Sequence, residues 1–400
     1  MQLGDYQLHW MPIVGRSPLE ALPALRRWVE LMPGDRAAIS HLGEACLGAQ
    51  QWTCADSMLI ALDSLARTSD RSNSEAGFNR ATLRVATDPK VDSARVANEP
   101  ALSIGIGLPR LDFLGVYARR PWLMRIAPAS PPPMLPIDPK VFEAISDAFR
   151  GEWSARVRAN LANYPAATAA DQLSLLRARA IARVAGLNTE DTALTAQLEA
   201  LARDSTLSSG ERWESAYLAM QPRMAGRDTA GIGNLLARLS TDTLPRARLF
   251  ERSIVAQRNL AFGVPGAVDS LVAVARDLGE RSSLFSLWVI NGWLAADSLL
   301  ARGNAARVDS MTRYLQTYAG GNAVYATFSS IAPAMLLQRA RALDALGNRK
   351  DALVIAEAMQ VMVRGNTPET ARLRAAYAEM AKRLASPIDA PKSTVVPGKR

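Results

Sequence analysis

The chain has 400 residues, of which 48% are hydrophobic and 21% charged, the make-up of folded protein with a length suited to two or three domains; wholesale disorder is excluded. Two cysteines exclude a disulfide scaffold and a cysteine-ligated metal domain, and two histidines, His9 and His41, leave little for histidine-based metal sites or a Ser/His/Asp triad. The 47 basic and 38 acidic residues give +9, but the arginines stand singly or in pairs such as Arg26-Arg27 and Arg119-Arg120 among Ala, Leu and acids, so they read as solvated helix faces and nucleic acid is not the expected partner.

The start, MQLGDYQLHWMPIVG, carries Asp5 and no basic region ahead of an apolar core, so it does not read as a secretory signal. The default expectation is a cytoplasmic location, with the periplasm left open if the N-terminus has been trimmed. Helical periodicity then runs over 18–68, 138–318 and 333–385, and strand alternation is nearly absent. Cys46 and Cys54 fall on neighbouring predicted helices and read as two reduced core cysteines, a bridge being the alternative in an oxidising compartment. His41, beside Leu42, reads as a partly buried structural histidine rather than a base.

Between the first two blocks the prolines crowd, from Pro89 through Pro131-Pro132-Pro133 to Pro139, and regular helix cannot run through that density. Four parts are therefore expected: N-terminal helical hairpins over 1–86, a Pro-rich irregular connector over 87–139, a helical-repeat domain over 140–385, and a disordered tail over 386–400. Within the connector, 108–124 has the composition of one short helix. Gly105-Ile106-Gly107 begins something like a dinucleotide loop, but Arg110 stands where the third glycine belongs, so no cofactor is expected. The apolar stretches Leu284–Ala296 and Tyr314–Gln338 are respectively too short and too broken, by Gly320-Gly321-Asn322, Ser329-Ser330 and Pro333, to span a bilayer.

A recurrence organises the long block. Gly186, Gly226, Gly263, Gly303 and Gly347 each follow one apolar helical run and precede another, at steps of 40, 37, 40 and 44 residues, room for two helices and two turns. In the last of them Leu336, Ala340 and Leu343 face Ala352, Ala356 and Met359 across Gly347, small residues that allow close approach. Each second helix is expected to open with an acid, Asp56, Asp191, Asp269, Asp309 or Asp351, placed against the partial positive charge of a helix N-terminus.

At the N-terminal block Ile39, Leu42-Gly43 and Cys46, then Ala55 and Leu59 with Trp52 just ahead, resemble the two-helix signature of the tetratricopeptide repeat (TPR) family; Ala21, Leu25 and Pro33-Gly34 resemble the end of a preceding repeat. The resemblance extends over 18–68 and 333–366, more weakly over 170–320. It implies an all-α, right-handed α-solenoid of stacked helical hairpins, interrupted by the Pro-rich linker, that binds protein along a concave face formed by first helices. Carried onto matching places, Ser40, Glu44, Trp293, Asp297, Leu337, Arg341 and Asp344 point into that groove. The sequence departs from the family in its longer repeat, in Cys46 replacing an aromatic, and in Arg339 standing at an apolar place.

No phosphate-cradling loop, nucleophile elbow or paired-histidine zinc helix occurs, so neither catalytic, cofactor nor metal residues are nominated. The densest aromatic region, Phe285, Trp288, Trp293, Tyr314, Tyr318, Tyr325 and Phe328, reads mainly as core, with Trp293 the best candidate for a binding hot spot. The leading expectation is a noncatalytic helical-repeat adaptor, the interaction or sensory part of a bacterial regulatory system, whose partner is a peptide segment or a complex subunit. The alternatives are a static accessory subunit of a larger, membrane-bound or soluble, complex, and a helical hydrolase or lyase using carboxylates.

Overall fold

The computed structural model describes residues 18–48, 51–67, 80, 83–92, 94–95, 138–164, 166, 168–189, 191–279, 285–318 and 331–386. Most of the predicted connector, including its short helix at 108–124, and the tail after residue 386 lie outside the described residues. Among the described residues every regular element is a helix. The N-terminal block supplies α1 (Pro18–Leu31), α2 (Arg36–Gly48) and α3 (Trp52–Arg67). The second block begins with α4 (Pro139–Phe149) and α5 (Ala155–Ala162), then α6 (Ala169–Val184), α7 (Leu194–Leu201), α8 (Ser209–Ala225) and α9 (Thr229–Ser240). It continues through α10 (Pro245–Ala261), α11 (Ala267–Gly279), α12 (Phe285–Ala301) and α13 (Ala305–Tyr318) to α14 (Ala332–Ala345), α15 (Arg349–Met362) and α16 (Pro368–Ala385).

Helix starts are written in side chains that satisfy the orphan amides of the first turn. Thr168 with Asp171 and Ser208 with Glu211 form complete capping boxes on α6 and α8, and Asp228, Asn348 and Thr367 cap α9, α15 and α16. The ends of first helices repeat one motif. At Gly186, Gly263, Gly303 and Gly347 the residue just past the C-cap takes a positive φ of 69–79°, and the next amide reaches back to close the Schellman bond, as in Val264 N to Asn259 O at 2.8 Å. The fifth end breaks the expected register: Gly226 is the C-cap with φ −80°, and Arg227 occupies the left-handed place at φ 55°.

The helices pack consecutively. First helices α6, α8, α10, α12, α14 and α16 each touch the next in that series, and every intervening second helix packs on both of its chain neighbours. In the N-terminal hairpin α2 packs closely on α3 at Gly43, where a Cβ would stand 3.3 Å from Met58 Cβ, a tight contact. One hydrophobic cluster joins both ends of the chain, with Leu25, Ile39, Leu47 and Leu59 in the same cluster as Leu336, Met359 and Tyr377. The α4–α5 pair packs on α6 through Trp153, Val157, Ala182 and Leu187, and the Arg364 amide donates to the Arg150 carbonyl at 2.7 Å. An additional contact is foreign to a simple series: α6 also packs against α12, so α6, α8, α10 and α12 close a four-membered ring.

Two local expectations are corrected, and one oddity is explained. Cys46 and Cys54 are joined in a disulfide between α2 and α3, not left as reduced core thiols. Asp191 and Asp309 do not serve as dipole partners at exposed helix starts; both are buried and paired with arginines, Arg179 and Arg339. Arg339, odd at an apolar repeat position, is therefore explained by its contact at 3.2 Å with Asp309 of the preceding hairpin.

Candidate functional site

The seven residues expected in a concave groove are not all presented to solvent. Ser40 on α2 and Leu337 on α14 are 5% and 7% exposed and belong to the interior. Glu44 is half-buried on α2, 3.7 Å from His41 Nδ1, and His41 lies against Trp28 with ring centroids 6.0 Å apart. Trp293 is half-buried against the core formed by α6 to α12. It is the one member of the predicted aromatic region whose side chain is described. Asp297, exposed on the next turn of α12, accepts a hydrogen bond from Gln338 Nε2 of α14 at 3.2 Å. Arg341 is exposed one turn further along α14, and half-buried Asp344 is ion-paired to Arg383 of α16 at 2.6 Å. Trp293, Asp297, Arg341 and Asp344 thus form a strip on two adjacent first helices, while Glu44 stands on the N-terminal hairpin.

Where an open repeat array would have its concave floor, the ring of α6, α8, α10 and α12 holds two polar layers. In the first, Glu214 of α8 is 2% exposed and accepts both Arg177 Nε at 2.7 Å and Arg177 Nη2 at 2.6 Å from α6. Ser286 Oγ of α12 donates to the same carboxylate at 2.5 Å, so one acid ties three helices. Burial works against the Arg177 cation, but the charge and hydrogen bonds of Glu214 outweigh it and raise its pKa.

The second layer, further toward the C-terminal ends of the same helices, is neutral. Gln257 Nε2 of α10 donates to Tyr217 Oη of α8 at 2.5 Å and to Asn291 Oδ1 of α12 at 2.9 Å, and Asn291 Nδ2 donates to Ser253 Oγ at 2.9 Å. Burial holds the Tyr217 phenol well above its ordinary pKa, so the layer carries no charge at neutral pH. These residues escaped the sequence reading. Their signal was polar side chains three or four apart on otherwise apolar stripes, Glu214, Tyr217 and Gln221 on α8 and Ser253 and Gln257 on α10.

Asp147, Asp191, Glu214 and Asp309, the buried carboxylates among the described residues, each face an arginine at 2.6–3.2 Å. No group of three or more His, Cys, Asp or Glu that could hold a metal occurs among the described residues, and no helix there is long and apolar enough to cross a membrane. No protein-family model, curated protein or solved structure matches this chain.

Proposed function

We propose that the chain is a noncatalytic helical-repeat protein that holds a protein segment on the exposed strip of α12 and α14. The observation that carries this reading is the register of the packing: each first helix touches the next, each second helix is wedged between two of them, and the hairpin turn recurs with one hydrogen-bonding pattern. That register is what TPR-like arrays use, and we take the stacked hairpins to follow the same right-handed sense. The buried carboxylates support the noncatalytic part, because a carboxylate tied to arginine in the interior is spent on structure rather than poised for proton transfer. The Cys46–Cys54 disulfide supports residence in an oxidising compartment such as the periplasm.

Closure of the inner ring narrows the surface on which a partner can lie. The strip offers Trp293 as an apolar anchor, Asp297 one turn further along α12, and Arg341, of opposite charge, on the adjacent α14. The test is affinity capture from cells of the source organism with the full chain and with the double reversal Asp297→Lys, Arg341→Glu. Both residues are exposed, so helicity should hold, with a loss of about 1–3 kcal/mol for the buried Gln338 amide left without its Asp297 acceptor, while the partner is lost. Equal recovery by the reversed chain would overturn the strip as the binding surface. Recovery at fixed stoichiometry through every wash would instead assign a static subunit.

A further inference from the structure

Beyond the neutral polar layer, past Gln257, the space enclosed by α6, α7, α8, α10 and α12 is not filled. A cavity of about 500 Å³ lies there, within the size range of small-molecule sites. Its inner wall is aliphatic: Leu194 and Leu198 of α7 and Leu218 of α8 line it and are each buried to 2% exposure or less. Its outer wall is partly open to solvent, with Arg183 of α6, Leu260 of α10 and Leu294 of α12 half-buried. Leucines at that depth call for an apolar body in the visitor.

Arg183 is the informative lining residue. Among the described residues it is the one charged side chain on the wall, and no acid lines the cavity to balance it. Its Nη1 donates to the Asp191 carbonyl at 3.0 Å. Its Nε and Nη2 have no acceptor among the described residues, and neither is sealed from water. The Asp191 carboxylate does not serve them, being held by Arg179 and Asn188. A cation in the last turn of α6 complements that helix's dipole, which accounts for the charge but leaves those N–H groups unused. A guanidinium at the edge of an apolar cavity, with N–H groups to spare and no counter-ion, is where an anion gains charge-assisted hydrogen bonds.

The same wall decides how the anion must arrive. The last turns of α6, α8 and α10 contribute Val184, Ala225 and Ala261, so three helix C-termini, each with partial negative charge, also reach the cavity. Turn amides already bond carbonyls of these ends, as in Leu187 N to Ala182 O at 2.9 Å and Val264 N to Asn259 O at 2.8 Å. A bare anion therefore gains little there, and an apolar chain has to supply most of the affinity. The geometry points to a binding site for a small amphiphile, one apolar chain with one anionic head, its chain among the leucines and its head on the free N–H groups of Arg183. The site is separate from the α12–α14 strip, and its fate is independent of the protein-binding reading.

The test is calorimetric titration of the full chain with decanoate below its micellar concentration. Saturable one-to-one binding is expected, with decan-1-ol and decylammonium each weaker by about tenfold or more. Octanoate should be weaker by about fifteenfold and butanoate should not bind measurably, because each buried methylene is worth about fourfold. Arg183→Gln should weaken decanoate by about tenfold and leave decan-1-ol within about twofold. Ala261→Trp supplies an arm that spares the arginine: Ala261 is half-buried on the wall, so an indole there occupies the cavity and should abolish binding of both compounds. Should Arg183→Gln fail to fold, the head-group series on the unaltered chain decides the matter. Binding that does not saturate, decan-1-ol or decylammonium binding as tightly as decanoate, or decanoate binding unchanged in Ala261→Trp would each overturn the proposal.

Discussion

The Arg177–Glu214–Ser286 layer makes a quantitative demand on stability. Glu214→Leu leaves the Arg177 guanidinium, 20% exposed, without its carboxylate and Ser286 without its acceptor. Removing one partner of a buried pair costs about 3–5 kcal/mol, and the partial hydration of Arg177 places this case near the lower end. The stranded hydroxyl adds about 1 kcal/mol, for a total of about 4 kcal/mol. Arg177→Met should cost as much or more, since the Glu214 carboxylate is buried more deeply than its partner. The double variant Arg177→Met, Glu214→Leu strands no charge. It should fall within about 2 kcal/mol of the wild type, because a buried pair replaced by apolar groups of similar size is often neutral.

The cycle is read from urea unfolding followed by far-UV circular dichroism at neutral pH, and the double variant should recover at least about 3 kcal/mol relative to the sum of the single ones. Hydrogen exchange supplies the spatial half of the test. Since Glu214 is the bond between α8 and both α6 and α12, amides of α12 should lose protection in Glu214→Leu before those of α15 and α16 do. Strict additivity of the two single variants, or exchange unchanged in α12, would refute the idea that this carboxylate closes the ring.

Gly263→Ala should cost about 1 kcal/mol, all of it backbone strain since a Cβ there meets nothing within 4 Å, whereas Arg227→Gly at the equivalent place should be neutral or stabilising by up to about 1 kcal/mol; thermal melts check both. Reduction of Cys46–Cys54, which closes a separation of 8 residues, should destabilise the N-terminal hairpin by about 2.5 kcal/mol, measured as the loss of urea resistance on adding a phosphine reductant. Burial works to raise the Asp191 pKa, but hydrogen bonds from Arg179 and Asn188 and the charges of Arg179 and Arg158 outweigh it and hold it below the ordinary carboxylate value. Its stabilisation is therefore complete above about pH 4 and lost as pH falls from there through the folded-state pKa, so Asp191→Asn should flatten the acid limb of the stability profile. Trp293→Ala should cost about 2 kcal/mol of folding, less than deletion of a fully buried aromatic, because its ring is half-buried.

The helices and their turns were legible because their causes are local. Apolar periodicity marked all three helical blocks, and four of the five recurring glycines stand in the left-handed conformation that only glycine adopts cheaply. The fifth shows where the signal ends. Gly226 has the right spacing, yet its helix runs one residue further relative to it, and the strain passes to Arg227, whose guanidinium lies over the Phe262 ring at 6.0 Å. Long-range pairing was not legible. Arg339 looked like a flaw in a repeat, and only Asp309, 30 residues earlier, makes it sensible. Glu214 and Ser286 are 72 residues apart, and nothing in either segment names the other. The groove residues mixed both kinds: helical placement was readable for all seven, but burial of Ser40 and Leu337 depends on what packs over them.

The contact between α6 and α12 changes what the array has available for binding. In an open series the inner faces of first helices are free, and their polar residues are the natural contacts for a partner. Here four inner faces meet, and their polar residues must satisfy one another: Arg177, Glu214 and Ser286 in one layer, Tyr217, Ser253, Gln257 and Asn291 in the next. Such layers fix the lateral register of the helices, because a buried carboxylate or amide displaced by one turn loses its partners at a cost of several kcal/mol, whereas leucines slide at little cost. With the ring so fixed, the leucines of α7, α8, α10 and α12 cannot collapse inward to fill the space left past Gln257. The cavity and the polar layers are thus two consequences of one closure, and the sidewall strip of α12 and α14 remains exposed because α14 lies beyond the helix at which the ring closes.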